Sequence, residues 1–271
     1  IMTIDDNIRP RVVVRLDDSV IADYVDLTEA HIKGDKPLMD PIIDPSHYSA
    51  WGPRGAGEPN MHRTRVEVWL KKKLISAWED DIGFRDAVLD RSGDKTGARF
   101  QFVINGRSVF AKGANLVPTS MFPTSAKDSA WVGLVERMCK ANMNMVRIWA
   151  GGIYPPESFF DACDTAGIMV WQDIMLANLA PGTRSFSENV NWEVADLIER
   201  LQRHPCVALY CGNNELDVAW KNWGWQDRYD IHDRDSVIVA GDYRNLFTVG
   251  LPVALDIHGA EDVSYLSTSP L

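Results

Sequence analysis

With 271 residues and a formal net charge of −10, the chain lacks the basic footprint that nucleic-acid binding demands. Its 45% hydrophobic and 24% charged content suits a globular chain with a sizeable core, in one large or two medium domains. No apolar run reaches the length of a membrane span, and Ile1-Met2-Thr3-Ile4-Asp5-Asp6 shows no basic segment leading into an apolar one.

Residues 1–95 read as all-β. Arg11-Val12-Val13-Val14-Arg15-Leu16 is a strand candidate. Residues 62–70, His-Arg-Thr-Arg-Val-Glu-Val-Trp-Leu, alternate polar and apolar as a half-buried strand does. Residues 44–59 between them are rich in turn formers. Their glycines lack the strand–GxGxxG–helix context of a phosphate cradle. Short strands with such turns predict a small β-sandwich. The polar stretch Asp90-Arg91-Ser92-Gly93-Asp94-Lys95-Thr96-Gly97 predicts a domain boundary. Asn105-Gly106 between two apolar runs predicts a hairpin.

From there strands and helices alternate. Strands are expected at 109–114, 144–149, 168–173, 206–211 and 263–267, and helices at 128–141, 157–166, 189–203 and 236–249. Ser125 and Asp128 are cap candidates for the first helix. Gly167 closes the second and Pro205 stops the third. Such alternation predicts a parallel sheet. In a barrel of this kind, chemistry sits at the C-terminal ends of the strands.

Those ends carry the polar residues. They read Gly113-Ala114-Asn115, then Arg147-Ile148-Trp149, then Trp171-Gln172-Asp173, and finally Gly212-Asn213-Asn214-Glu215. Each residue also has an ordinary reading. Arg147 pairs with a carboxylate such as Asp173 or touches a ligand. Trp149 and Trp171 are core or sugar platforms. Asp173 can cap a helix, and Asn214 can be a turn residue. Trp220-Lys221-Asn222-Trp223-Gly224-Trp225 is either packing or the wall of a sugar subsite. A carboxylic acid beside an amide, among aromatics, suits glycoside hydrolysis. That chemistry needs one carboxyl to protonate the leaving oxygen and a second to attack or to activate water.

The four cysteines, Cys139, Cys163, Cys206 and Cys211, form no CxxC pair and read as buried free thiols. The histidines are scattered and form no HExxH. No metal and no cofactor are therefore expected. Free thiols without a visible leader favour a cytoplasmic address.

Taken together, the residues resemble the β-mannosidase branch of the family 2 glycoside hydrolases. The resemblance is carried by Trp51-Gly52-Pro53, Ile82-Gly83-Phe84-Arg85, Phe110-Ala111-Lys112-Gly113-Ala114-Asn115 and Ala141-Asn142-Met143-Asn144-Met145-Val146-Arg147-Ile148-Trp149. It continues through Gly151-Gly152-Ile153-Tyr154, Val170-Trp171-Gln172-Asp173, His204-Pro205, Gly212-Asn213-Asn214-Glu215, the tryptophan cluster at 220–225 and Ser267-Thr268-Ser269-Pro270. These pieces run in order over roughly residues 50–271.

The resemblance implies an immunoglobulin-like β-sandwich over 1–95, incomplete, followed by the N-terminal half of a (β/α)8 TIM barrel over 96–271. It implies hydrolysis of terminal non-reducing β-D-mannose residues with retention, on a β-mannoside oligosaccharide or glycan; the charge and the apolar runs give no expectation of a nucleic-acid or membrane partner. Glu215 falls on the general acid/base, and Asn214 on the amide that binds the hydroxyl at carbon 2. Trp149, Asp173 and Trp223 fall on the mannose subsite, and Arg147 on the arginine supporting the carboxylates. Ala150 departs from a usual glycine, and Met61-His62 from a Leu-Tyr pair. The family nucleophile is expected beyond Leu271, so the remainder of a parent polypeptide is an expected partner and this piece alone is expected to be inactive. The alternatives are another family 2 exo-β-glycosidase (β-galactosidase, β-glucuronidase or exo-glucosaminidase) and a non-catalytic carbohydrate-binding protein.

Overall fold

The computed structural model describes residues 9–25, 27, 43–122, 125–178, 182 and 184–270. The first six residues and Leu271, which bear on the leader and chain-end readings, lie outside them. The chain divides into two compact units, one of residues 1–50 and 60–84 and the other of residues 51–59 and 85–271.

The first unit holds β1 (Pro10–Leu16), β2 (Ser19–Tyr24), β3 (His62–Leu70) and β4 (Lys73–Ile82) in one antiparallel sheet of order β2-β1-β3-β4. Asp17 and Asp18, at φ 46° and 67°, make the tight turn between β1 and β2. The alternation in β3 predicts apolar residues inward, but Glu67 and His62 are its buried residues, while Val66, Val68 and Leu70 are half-buried. Glu67 tolerates burial because Arg65 Nε and Trp69 Nε1 donate to its two oxygens at 2.8 and 3.0 Å.

The second unit begins with a three-stranded antiparallel sheet, β5 (Ala87–Asp90), β6 (Gln101–Ile104) and β7 (Arg107–Val109). The Asn105-Gly106 turn is present, with both φ positive (48° and 74°). The polar stretch 90–97 is not the boundary. It is the loop between paired strands β5 and β6, closed by a Gly93–Ala98 bridge and by Asp94, which accepts from Thr96 and Gly97. The division lies at Phe84/Arg85 instead. Residues 51–59 also belong to the second unit: Trp51 is fully buried and donates to the Asp164 carbonyl at 2.8 Å.

Next come β8 (Gly113–Leu116), α1 (Asp128–Lys140), β9 (Met145–Ile148), α2 (Glu157–Ala166), β10 (Met169–Asp173), α3 (Arg184–Leu201) and β11 (Val207–Cys211). The chain ends with α4 (Leu216–Asn222), α5 (Trp225–Arg228), α6 (Asp233–Arg244), α7 (Leu251–Ile257) and β12 (Ser264–Leu266). The five strands β8 to β12 form one parallel sheet in sequential order. All of β11 is buried, as its unbroken apolar run predicts.

The first parallel strand starts at Gly113 rather than Val109, because the buried Asn144 side chain binds the connector: it accepts from Lys112 N at 2.7 Å and donates to Phe110 O at 3.1 Å. Gly113 must be glycine, since a Cβ there would stand 2.0 Å from the Met145 carbonyl oxygen. The cap candidates of α1 go unused: Lys127 occupies the cap position, and the Ser125 hydroxyl donates to Phe122 O. Helix α3 begins before the expected Asn189. The last expected helix is longer at both ends, continuing from α6 through a π-helical stretch (Asn245–Gly250) into α7. Among the described residues no helix is long and apolar enough to cross a membrane.

Candidate functional site

The site residues follow from three strand ends. β9 and β10 align Arg147 with Trp171, and β10 and β11 align Asp173 with Cys211, so the side chains of Arg147, Trp171 and Asp173 share one face of the sheet. Asn115 of β8 stands in register with Arg147.

Arg147 is the hub. Its Nε lies 3.2 and 3.1 Å from the two Asp173 oxygens. Its Nη2 donates to Asp173 Oδ2 at 2.6 Å and to Asn214 Oδ1 at 2.9 Å. Asp173 is fully buried and also accepts from the Ala150 amide at 3.1 Å. The departure to alanine at 150 is harmless here, because only its backbone N–H is used. Burial raises the Asp173 pKa, and the Arg147 bonds and charge oppose that rise without cancelling it.

Glu215 sits just before α4 in the left-handed region, at φ 63°. The loop holding it is pinned from both sides. Asn214 N donates to Leu176 O at 3.0 Å, and Glu215 N donates to Ser269 O at 2.9 Å. Asn213 accepts from Leu216 N at 3.2 Å and from Thr268 Oγ1 at 2.8 Å, and donates to Ser267 O at 2.7 Å. Gly212 permits this close approach: a Cβ would fall 2.3 Å from the Tyr265 hydroxyl and 2.8 Å from Ser267 O. The capping of α4 is thus done by Asn213, and the Glu215 carboxylate makes no capping bond. It accepts from Asn214 Nδ2 at 3.1 Å and is half-buried.

Trp149 follows β9 and is half-buried, its amide bonded to Leu116 O at 3.3 Å. A Cβ on Gly151 would meet the Trp149 ring at 2.1 Å, so the bare glycine makes room for the indole. Trp223 stands apart from the hydrogen-bonded group. It caps the C-terminal end of α4, eight residues beyond Glu215 and about 12 Å along a helix axis, is 46% exposed, and packs edge-on against Trp225.

The site therefore joins Arg147, Asp173, Asn214 and Glu215 by hydrogen bonds, with Trp149 two residues beyond Arg147. Asn213, Gly151, Ser269 and Tyr154 lie in motifs the sequence displays, but sequence reasoning gave them no role of their own. The Tyr154 hydroxyl accepts from Met175 N at 3.2 Å and donates to Glu193 at 2.7 Å, tying two loops that follow strands. A double amide before a glutamate and a double glycine after a tryptophan were the available signals.

Chemically, Glu215 offers a carboxyl beside an amide donor able to hold a hydroxyl. Asp173 is committed to Arg147 and is suited to binding rather than to attack. A third group, Asp164, His204 and Cys206, has donor atoms within 4.8 Å of one another. His204 already shares its ring nitrogens with Asp164 at 2.6 Å and Glu157 at 3.2 Å, and Asp164 also accepts from Cys206 N at 3.0 Å. That arrangement is a buried polar pin between α2 and the start of β11, with its bonding capacity spent internally.

No family profile matches the chain. By sequence it is 35% identical over 201 residues to the β-mannosidase of Mus musculus, covering 73% of this chain and 22% of that protein. It is 30% identical over 245 residues to the β-mannosidase of Bos taurus, covering 89% and 26%. By structure it matches the crystal structure of the β-D-mannosidase from Dictyoglomus thermophilum, with a TM-score of 0.78 at 27% identity, over 98% of this chain and 31% of that one. The chain spans 22% and 26% of the two curated relatives it matches here.

Proposed function

From a chain that is β-mannosidase-like in both sequence and fold, we propose that it carries the acid/base half of a retaining exo-β-mannosidase acting on terminal non-reducing β-D-mannose residues. The observation that carries this reading is the Glu215 carboxyl beside Asn214, in turn fastened through Arg147 to Asp173.

In the first step Glu215 gives its proton to the glycosidic oxygen as a second carboxylate attacks carbon 1 and the leaving alcohol departs. In the second, Glu215 takes a proton from water as the water oxygen displaces that carboxylate and frees mannose. We assign the attacking carboxylate to polypeptide outside these 271 residues. Asn214 binds the hydroxyl at carbon 2, Asp173 supports the subsite from beneath through Arg147, and Trp149 and Trp223 present apolar faces to the ring. Arg147 orients Asp173 and Asn214. On the same reading the first unit is part of an immunoglobulin-like sandwich. The second is the N-terminal half of a (β/α)8 barrel, supported by five parallel strands in sequential order.

The test is a panel of p-nitrophenyl glycosides on the polypeptide at the relatives' length. A β-mannoside should be cleaved at least about 100-fold better, by kcat/KM, than the β-galactoside, β-glucuronide or β-glucosaminide. Preference for one of the others would move the chain to another exo-β-glycosidase. Mannose binding without hydrolysis would make it a binding protein.

A further inference from the structure

Trp171 is not among the residues that the proposed reaction uses, yet its ring lies against Arg147, the cationic member of the central ion pair. The Arg147 guanidinium carbon lies 5.2 Å from the centre of its ring, within cation–π range. Its indole N–H is buried and makes no hydrogen bond of normal geometry. Behind the indole, Phe100 packs at 5.8 Å and itself meets Phe102 edge-on at 6.2 Å.

A buried guanidinium has several rotamers open to it, and hydrogen bonds at its tip alone do not choose among them. A ring fixed beneath it does, by fixing the plane of the fork. In this plane a single nitrogen reaches Asp173 and Asn214 together. An indole N–H buried without a proper partner costs stability, so its presence at this position calls for a compensating use.

We propose that Trp171 is a positioning residue whose ring face carries Arg147, so that one arginine holds both Asp173 and Asn214. In the reaction proposed above, on which the kinetic part of this inference rests, Trp171 acts only through Arg147 and touches no substrate. Losing the indole should therefore loosen the binding residues more than it loosens the fold.

The experiment compares Trp171→Leu and Trp171→Phe with wild type in the full polypeptide, by phenylglyoxal labelling mapped to single arginines. Arg85, whose side chain is 6% exposed in the same unit, reports on the fold. Arg147 should label at least about threefold faster in Trp171→Leu, with Arg85 unchanged and Trp171→Phe in between, since a cation–π contact corresponds to roughly 3–30-fold. Unchanged labelling of Arg147 in both variants overturns the proposal. So does a parallel rise at Arg85 in both, which would make Trp171 a general packing residue. In p-nitrophenyl β-mannoside hydrolysis, KM should rise more than kcat falls. If wild type does not cleave the mannoside while Arg147 still becomes reactive in Trp171→Leu, the enzymatic reading fails and the positioning role stands.

Discussion

Arg147 Nη2 lies 2.6 Å from Asp173 Oδ2, and this contact between neighbouring strand ends is where the buried charge of the site is neutralised. Asp173 is fully buried, and the Arg147 side chain is 15% exposed. Such a pair costs much of its attraction in desolvation, but removing one partner strands the other. Arg147→Met should therefore destabilise the second unit by about 3–5 kcal/mol. Adding Asp173→Asn to that variant should recover part of the loss. Urea unfolding of the two single variants and the double variant measures the coupling. Additive losses would mean that the two residues do not work as a pair.

Glu215 combines a functional carboxyl with an unfavourable backbone, at φ 63°. A non-glycine residue in that region costs about 1–2 kcal/mol. Glu215→Gly should raise thermal stability while removing the proton donor. In the polypeptide at the relatives' length, substrates with poor leaving groups should lose about 10²–10⁴ in kcat, and activated aryl mannosides much less, with azide restoring part of the rate. Steady-state kinetics on both substrate types decide the matter; a Glu215→Gly enzyme working at wild-type rate on alkyl mannosides would take the acid/base role away from this residue.

Two glycines separate folding from function. A Cβ at Gly113 would meet the backbone oxygen of Met145 at 2.0 Å, and neither strand can yield without losing the β8–β9 pairing. Gly113→Ala should cost at least about 3 kcal/mol or prevent soluble expression. A Cβ at Gly151 would meet the outer ring atoms of Trp149 at 2.1 Å, and a half-buried side chain can swing away. Gly151→Ala should leave unfolding within about 1 kcal/mol of wild type while mannose affinity, read by calorimetry, falls about tenfold. Equal affinities would remove Trp149 from the sugar-binding surface.

The parts legible in the sequence were those set by local rules. Buried parallel strands are short apolar runs, so β9, β10 and β11 stood out, and Asn105-Gly106 marked its hairpin without help from the rest of the chain. The strand-end position of Glu215 followed from the same pattern. What was illegible depends on distant partners. Trp51 lies in a glycine-rich loop, and its destination beside Asp164, 113 residues on, leaves no local trace. Glu67 looks like a solvent-facing residue until Arg15 of β1, distant in sequence, is seen 3.5 Å from it. β4 is mostly exposed and shows no inward apolar pattern from which it might have been predicted. The loop of Glu215 is held by Thr268 and Ser269, more than fifty residues later, so only the fold explains the rigidity of that glutamate.

The first unit should lose stability as pH rises through neutrality, because of His62. Its Nδ1 lies 2.5 Å from Asp17 Oδ2 and its Nε2 lies 2.9 Å from the Ser49 carbonyl, with the Tyr48 and Phe84 rings at 5.2 and 5.5 Å. Burial pushes the imidazole pKa down, but the Ser49 carbonyl and the Asp17 carboxylate together outweigh it and raise the pKa above the ordinary 6.5. Both ring nitrogens face acceptors, so the doubly protonated ring satisfies the site and the neutral ring leaves one acceptor facing a lone pair. A raised folded-state pKa contributes stability that is complete below the unfolded value of 6.5 and disappears as pH climbs through the folded value. Melting curves of wild type from about pH 6 to pH 8 should therefore show a falling midpoint for this unit, and His62→Asn, with no group titrating in that range, should be lower at the acid end and nearly flat across it. A wild-type slope that survives in His62→Asn would assign the pH dependence to other groups.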